Sequence, residues 1–280
     1  MNTLYISDLD GTLLNKNAEL SKETIDSLNR LIKEGVQFSC ATARTPATVS
    51  PILKDVSLSV PAVLMNGVLV YDLSKKEYVK VEYLNQDAFS EILAQIHEAK
   101  VEAFVYSIHG NILQTYYEHL TTPCMQHFYQ ERLEKFQKPF AKVDNFDQLD
   151  KKDVIYTLFL NSKEVLDPIY EKIVELQKFY DIDVSYYLDV YGENVYCMEV
   201  YSNKASKYNA VNYLRQQYHY DRIIGFGDNL NDLPLFQACD EAYAVENARA
   251  QVRAAANKVI ESNEENGVVH FIEQHSKLPS

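Results

Sequence analysis

Within the first 65 residues short apolar runs alternate with amphipathic stretches in the order βαβαβ, and that alternation admits few folds. Leu4-Tyr5-Ile6 is a brief apolar run that ends in acidic residues and Gly11-Thr12, the pattern of a buried strand opening into a loop. A helix follows. Ser21 can cap it, Ile25, Leu28, Leu31 and Ile32 share one face, and Gly35 supplies the stop. Val36 to Ala41 reads as a second strand, Pro46 opens a second helix where its missing N–H costs least, and Ala62 to Met65 is a third strand. Such alternation implies parallel strands joined by right-handed crossovers, a Rossmann-like α/β core with helices on both faces.

The pattern changes between Val68 and Tyr83 to two Val-, Leu- and Tyr-rich runs around Ser74-Lys75-Lys76, which predicts a hairpin at the sheet edge. From 84 to 190 the reading is helix (86–99), strands (102–108 and 112–117), helix (120–135), strand (154–160), helix (164–179) and strand (182–188), an inserted α+β cap or lid domain. The core is expected to span 1–83 and 191–280, with Val195 to Tyr201 as its returning strand, then a helix from Ala210 to Tyr218 and a strand from Arg222 to Phe226. No Gly/Ser- or Pro-rich linker separates the parts, so hinges are expected near Glu82-Tyr83 and Asp189-Val190.

Charge narrows the choice of partner. Lys and Arg number 27 against 40 Asp and Glu, a net charge of −13, which lacks the basic excess that displaces counterions from nucleic-acid phosphates. No apolar stretch approaches the length of a membrane helix, and the N-terminal residues lack the basic, apolar pattern of a secretory leader. A cytoplasmic protein is expected, with no nucleic-acid, membrane or evident protein partner. The 4 cysteines are scattered without a CxxC pair, which signals neither a zinc ribbon nor a disulfide framework.

Two acidic clusters carry the chemistry. Asp8-Leu9-Asp10-Gly11-Thr12 places two carboxylates at the carboxyl end of the first strand, the edge at which open α/β sheets bind ligands. Gly225-Phe226-Gly227-Asp228-Asn229-Leu230-Asn231-Asp232 again follows an apolar strand and again ends in carboxylates. If parallel strands bring both ends to one edge, each acid pair about 4 Å apart repels by roughly 4 kcal/mol at an effective dielectric near 20. A cation is required there. An all-oxygen set with room for waters suits Mg2+, which prefers octahedral oxygen coordination and joins protein acids to a substrate phosphate. No Cys/His cluster competes for a softer metal.

The DLDGTLL run, Thr42-Ala43-Arg44, Ser206-Lys207 and GDNLND, in this order and across nearly the whole chain, resemble the haloacid-dehalogenase-like phosphatases, specifically their Cof-type subgroup. Asn66-Gly67, Asn247-Ala248 and Asn266-Gly267-Val268 also look like that subgroup. The resemblance implies a Mg2+-dependent phosphatase of small phosphorylated metabolites, with a sugar phosphate as one substrate class. Asp8 would attack phosphorus to form an aspartyl-phosphate, and Asp10 would act as acid and then base. Asp8, the Asp10 backbone carbonyl and Asp228 would hold the metal, oriented by Asn231 and Asp232. Thr42 and Lys207 would grip the non-transferring phosphate oxygens, with Arg44, Asn66 and Asn231 as further substrate contacts.

This chain has Ala43 where the family usually has glycine, and Tyr208 where glycine often follows the lysine; both bear on pocket shape. The insert would close over the site and supply specificity. Its net charge of −8 (10 basic, 18 acidic) predicts monophosphates with a neutral remainder. Two other functions are consistent with a fold of this kind: a phosphosugar mutase, which retains the transferred group, and a catalytically silent metabolite-binding protein.

Overall fold

The structure, a computed structural model, describes residues 2–188 and 194–277. The chain opens with β1 (Thr3–Ser7), α1 (Lys22–Lys33), β2 (Gln37–Cys40), α2 (Pro46–Ile52), β3 (Ala62–Leu64), β4 (Leu69–Asp72) and β5 (Glu77–Val81). A middle stretch follows with α3 (Gln86–Ala99), β6 (Phe104–His109), β7 (Ile112–Tyr117), α4 (Pro123–Phe136), β8 (Phe140–Lys142), β9 (Val154–Ser162), α5 (Lys163–Leu176), β10 (Ile182–Leu188) and β11 (Val195–Ser202). The last part holds α6 (Lys207–Tyr218), β12 (Arg222–Gly227), α7 (Leu233–Ala238), β13 (Glu241–Val245), α8 (Ala250–Ala255), β14 (Lys258–Ile260) and α9 (Gly267–His275).

The chain divides into two compact units, Met1–Lys80 with Ala205–Ser280, and Val81–Lys204. In the first, β14-β13-β12-β1-β2 form a parallel sheet whose central strands are apolar on both faces. Leu4, Ile6, Ile223, Ile224 and Phe226 are wholly buried, as expected where helices cover both faces of a sheet. Ser21 caps α1 by accepting from Thr24 N–H, and Pro46 stands first in α2. The expected hairpin forms β4 and β5, but with β3 it makes a separate three-stranded sheet, touching the parallel one through the bridge Ala41 to Val63.

Asn266-Gly267 secures the C-terminal helix. Asn266 takes left-handed backbone (φ 57°), and its Oδ1 accepts from the Ser21 and Thr24 hydroxyls at 2.8 and 3.0 Å. Gly267 is pressed so closely on the Glu261 carbonyl that a Cβ would lie 2.0 Å from it, which only glycine tolerates.

The second unit is a six-stranded sheet in the order β10-β11-β9-β6-β7-β8, antiparallel except for the β7–β8 pair. Phe89, Ile92 and Ile96 of α3 and Leu166, Ile169 and Ile173 of α5 share a buried core with Phe159, Met198 and Val200 of the sheet. The second division of the chain therefore falls after Lys204, where the sequence placed it at 190/191. Val195–Ser202 is a strand, but it pairs with β9 and β10, because Met198 and Val200 complete this unit's core. A local apolar pattern reveals a strand and not the sheet it joins. The first division falls after Lys80 rather than 83, and the hinge expected at Asp189-Val190 lies outside the described residues. Among the described residues no helix is long and apolar enough to cross a membrane.

Lys138, only 3% exposed, is buried in this unit among aromatic rings. Its Nζ donates to the Tyr106 hydroxyl at 2.9 Å and lies 4.3 Å from that ring's centre and 5.4 Å from those of Phe128 and Phe140. Burial, with Arg132 adding to it, holds the ammonium well below the usual lysine range. The unfolded chain thus binds more protons than the folded one between the folded and unfolded pKa, and this group makes stability rise with pH across that window. Lys138→Met is expected to stabilise the protein by about 1 kcal/mol at pH 7. The variant should also flatten the rise in stability from pH 7 to 10, as read from urea unfolding.

Candidate active site

Parallel pairing of β1 with β12, with Ile6 opposite Gly225 and Ser7 opposite Phe226, brings the two acidic segments out at one edge of the sheet. The Asp8 N–H continues the pairing by donating to the Phe226 carbonyl at 2.9 Å. Lys207 arrives from a third direction as the first residue of α6, whose N-terminus Ser206 caps by accepting from Asn209 N–H. The capped start explains why this helix begins three residues before the expected Ala210.

The Lys207 ammonium is 1% exposed and donates to Asp8 Oδ1 at 2.7 Å and Asp232 Oδ1 at 2.6 Å. Asp232 is wholly buried, and its other oxygen accepts from the Asp228 and Asn229 N–H groups at 2.9 and 3.0 Å. It ties the lysine to the loop that carries Asp228. Asp228 Oδ1 in turn accepts from the Thr12 hydroxyl at 2.9 Å. One carboxylate oxygen from each of Asp8, Asp228 and Asp232 lies within 4.8 Å of the others.

Three carboxylates share one ammonium here, and two of them, Asp8 and Asp228, are held above the usual carboxylate range. Burial, reinforced by Asp232 and Asp228 and opposed by Lys207, pushes Asp8 up to about 8. Burial raises Asp228 to about 6 against the Thr12 hydrogen bond. Burial alone would lower Lys207, but the Coulombic pull of Asp8 and Asp232 outweighs it and raises the ammonium above its ordinary range. The lysine is charged, and a further cation would offset the two raised acids beside it. An all-oxygen donor set of this charge fits Mg2+.

Asp10 stands apart from that cluster. Its half-exposed carboxylate is gripped by Arg44 in a two-point pair, Nε to Oδ2 at 2.7 Å and Nη2 to Oδ1 at 2.6 Å. Thr42 is buried just beyond β2, where its main chain bonds to Val63 and Asn66 and its Oγ1 accepts from Arg44 N–H at 3.2 Å. Asn66 Oδ1 accepts from Asn231 Nδ2 at 3.3 Å, which joins the loop after β3 to the loop after β12.

Glycines allow the close approaches. Gly11 has φ +76°, and a Cβ there would lie 2.5 Å from Asp228 Oδ2, so the two acidic loops can touch only at a residue without a side chain. Gly67, at φ +102°, presses on Ser206 so that a Cβ would sit 2.2 Å from its carbonyl oxygen. The Asn66-Gly67 turn thereby packs against the residue that caps the lysine's helix. The Thr12 hydroxyl on Asp228 is the contact that the sequence did not announce; the DxDGT spacing was its available signal, since it puts a hydroxyl one residue past the glycine turn.

Residues 5–272 match the family model described as haloacid dehalogenase-like hydrolase. The chain is 26% identical, over 95% of its length and 96% of the relative's, to the 5-amino-6-(5-phospho-D-ribitylamino)uracil phosphatase YwtE of Bacillus subtilis (strain 168). It is 24% identical to the pyridoxal phosphate phosphatase YbhA of Escherichia coli (strain K12) over 96% of each chain. Among solved structures, a haloacid dehalogenase-like hydrolase from Bacteroides thetaiotaomicron matches the fold with a TM-score of 0.81 at 20% identity, covering 98% of this chain and 100% of the other.

Proposed function

The chain belongs to the haloacid dehalogenase-like hydrolases and is a phosphoric monoester hydrolase, and from that premise we propose that it is a Mg2+-dependent phosphatase working through an aspartyl-phosphate on Asp8. The observation that carries the reading is the buried Lys207 ammonium clamped between Asp8 and Asp232, with Asp228 beside them. That arrangement supports the reading, since it sets the Asp8 carboxylate beside a buried positive charge and two further acids.

Asp8, Asp228 and the main-chain carbonyl of Asp10 would hold the ion, whose chemistry is to neutralise the acids and the phosphate together. Asp8 attacks phosphorus through one carboxylate oxygen, and the phosphorus–oxygen bond to the alcohol breaks as the new one forms. Asp10 protonates the departing alkoxide, then takes a proton from the water that releases phosphate from Asp8. Lys207 and Thr42 bind the non-transferring oxygens, with Asn66 and Asn231 beside them. Arg44 becomes a substrate contact when its pair with Asp10 opens.

The substrate class proposed is a small metabolite bearing one phosphate on an otherwise neutral body, a sugar phosphate included. Purified protein is expected to release inorganic phosphate from a panel of such monoesters with MgCl2 and to stop when EDTA is added. Phosphate release insensitive to EDTA, or none from any monoester, would overturn the reading.

A further inference from the structure

We propose that Asn247, backed by Asn263, is a positioning residue for the turn that carries Asp10 and Thr12, acting through the Gly11 carbonyl. Asn247 Nδ2 donates to Gly11 O at 2.7 Å, and its Oδ1 accepts from Asn263 N–H at 3.1 Å. A main-chain N–H on the amide oxygen fixes which end of the amide faces the turn, so the nitrogen must point at Gly11. Asn263 Nδ2 donates to Leu14 O at 2.8 Å. Both ends of the segment from Gly11 to Leu14 are therefore held from outside by side-chain amides. The turn is closed by Leu14 N–H on the Leu9 carbonyl at 2.8 Å.

The segment that supplies Asn247 also touches the other acidic loop. Arg249 N–H, two residues on, donates to the Asp228 carbonyl at 2.9 Å. Residues 247–249 thus bond to the main chain of both loops at once and set the spacing between Asp10 and Thr12 on one side and Asp228 on the other.

Asn247 is exposed and Asn263 half-buried, so their loss should disturb the loop far more than the fold. A displacement of an ångström at a group that acts in the transition state lowers the rate by up to about a hundredfold.

The inference rests on the phosphatase reading, and the test separates the two. Wild type, Asn247→Ala, Asn247→Asp and Asn263→Ala are assayed on p-nitrophenyl phosphate and phenyl phosphate with Mg2+, alongside thermal melts. Phenolate is the poorer leaving group and depends more on the proton from Asp10. Asn247→Ala is expected to melt with the wild type and to lose about tenfold or more in kcat/KM on phenyl phosphate, with a clearly smaller loss on p-nitrophenyl phosphate. Asn247→Asp, which keeps the oxygen facing Asn263 but loses the donor, should behave alike, and Asn263→Ala should show a weaker version of the same split. Equal losses on both esters, or none, in variants that melt normally would overturn the positioning role. Should the alanine variant fail to fold, the split in Asn263→Ala decides by the same criterion. A wild type inactive on both esters would instead bring down the phosphatase reading, and this inference with it.

Discussion

Asp8→Asn is expected to abolish phosphate release, with a fall of at least about a thousandfold in kcat, while the protein melts at or above the wild-type temperature. The amide has the shape of the carboxylate and none of its nucleophilicity. The stability side follows from crowding. Asp8 is one of three acids around a single ammonium, and burial with its neighbours already drives it towards the neutral form. Removing its charge relieves repulsion and leaves Lys207 paired with Asp232 at 2.6 Å. Phosphate release and a melting curve on the same preparation check both halves. A variant that is inactive only because it has unfolded would count against the placement of Asp8, and a variant with wild-type turnover would sink the mechanism.

Lys207→Met should be worse on both counts. Asp8 and Asp232 would remain almost fully buried without their counter-ion, and removal of one member of a buried ion pair costs about 3–5 kcal/mol. On the proposed mechanism activity would go too, with the charge assigned to the phosphate oxygens. The sign of the pH dependence distinguishes this from simple loss of packing. With the lysine gone, nothing opposes the burial and neighbouring acids that raise Asp8 above its unfolded pKa, so the folded state binds more protons and stability falls as pH rises. Urea unfolding is therefore expected to show the variant recovering stability from pH 8 to pH 5.5. Adding Asp232→Asn should restore part of the loss at pH 8. A deficit that is flat across this range would mean that the carboxylates are not left unpaired.

The two acidic clusters were legible in the sequence because strand, glycine turn and carboxylate follow one another within a few residues, and a parallel sheet has only one edge where such turns gather. The first βαβαβ stretch was readable for the same reason, since Ser21, Gly35 and Pro46 mark helix ends by local chemistry. What escaped depends on contacts between distant residues. Val195–Ser202 has an unambiguous strand pattern, yet its choice of β9 and β10 over the parallel sheet is settled by which core Met198 and Val200 fill. Arg44 could be recognised as a charge near the site, whereas its two-point grip on Asp10 exists only once the loops after β1 and β2 lie side by side. Lys138 gave no sign of burial, because a lysine between Gln137 and Pro139 reads as surface until Tyr106, Phe128 and Phe140 close around it. The short strand β8 has too few residues to display any period.

The pairing of β1 with β12 carries a consequence for synthesis. Asp8 leaves the ribosome long before Lys207, its charge partner, which lies 199 positions further along. Until β12 has also emerged, β1 can pair on one side only, and the other presents a row of bare amide and carbonyl groups to any passing strand. The uninterrupted span Val81–Lys204 can meanwhile collapse on its own contacts. A nascent chain thus carries a finished domain in its middle beside an unfinished sheet, and premature release before Asp232 should yield an inert, aggregation-prone fragment.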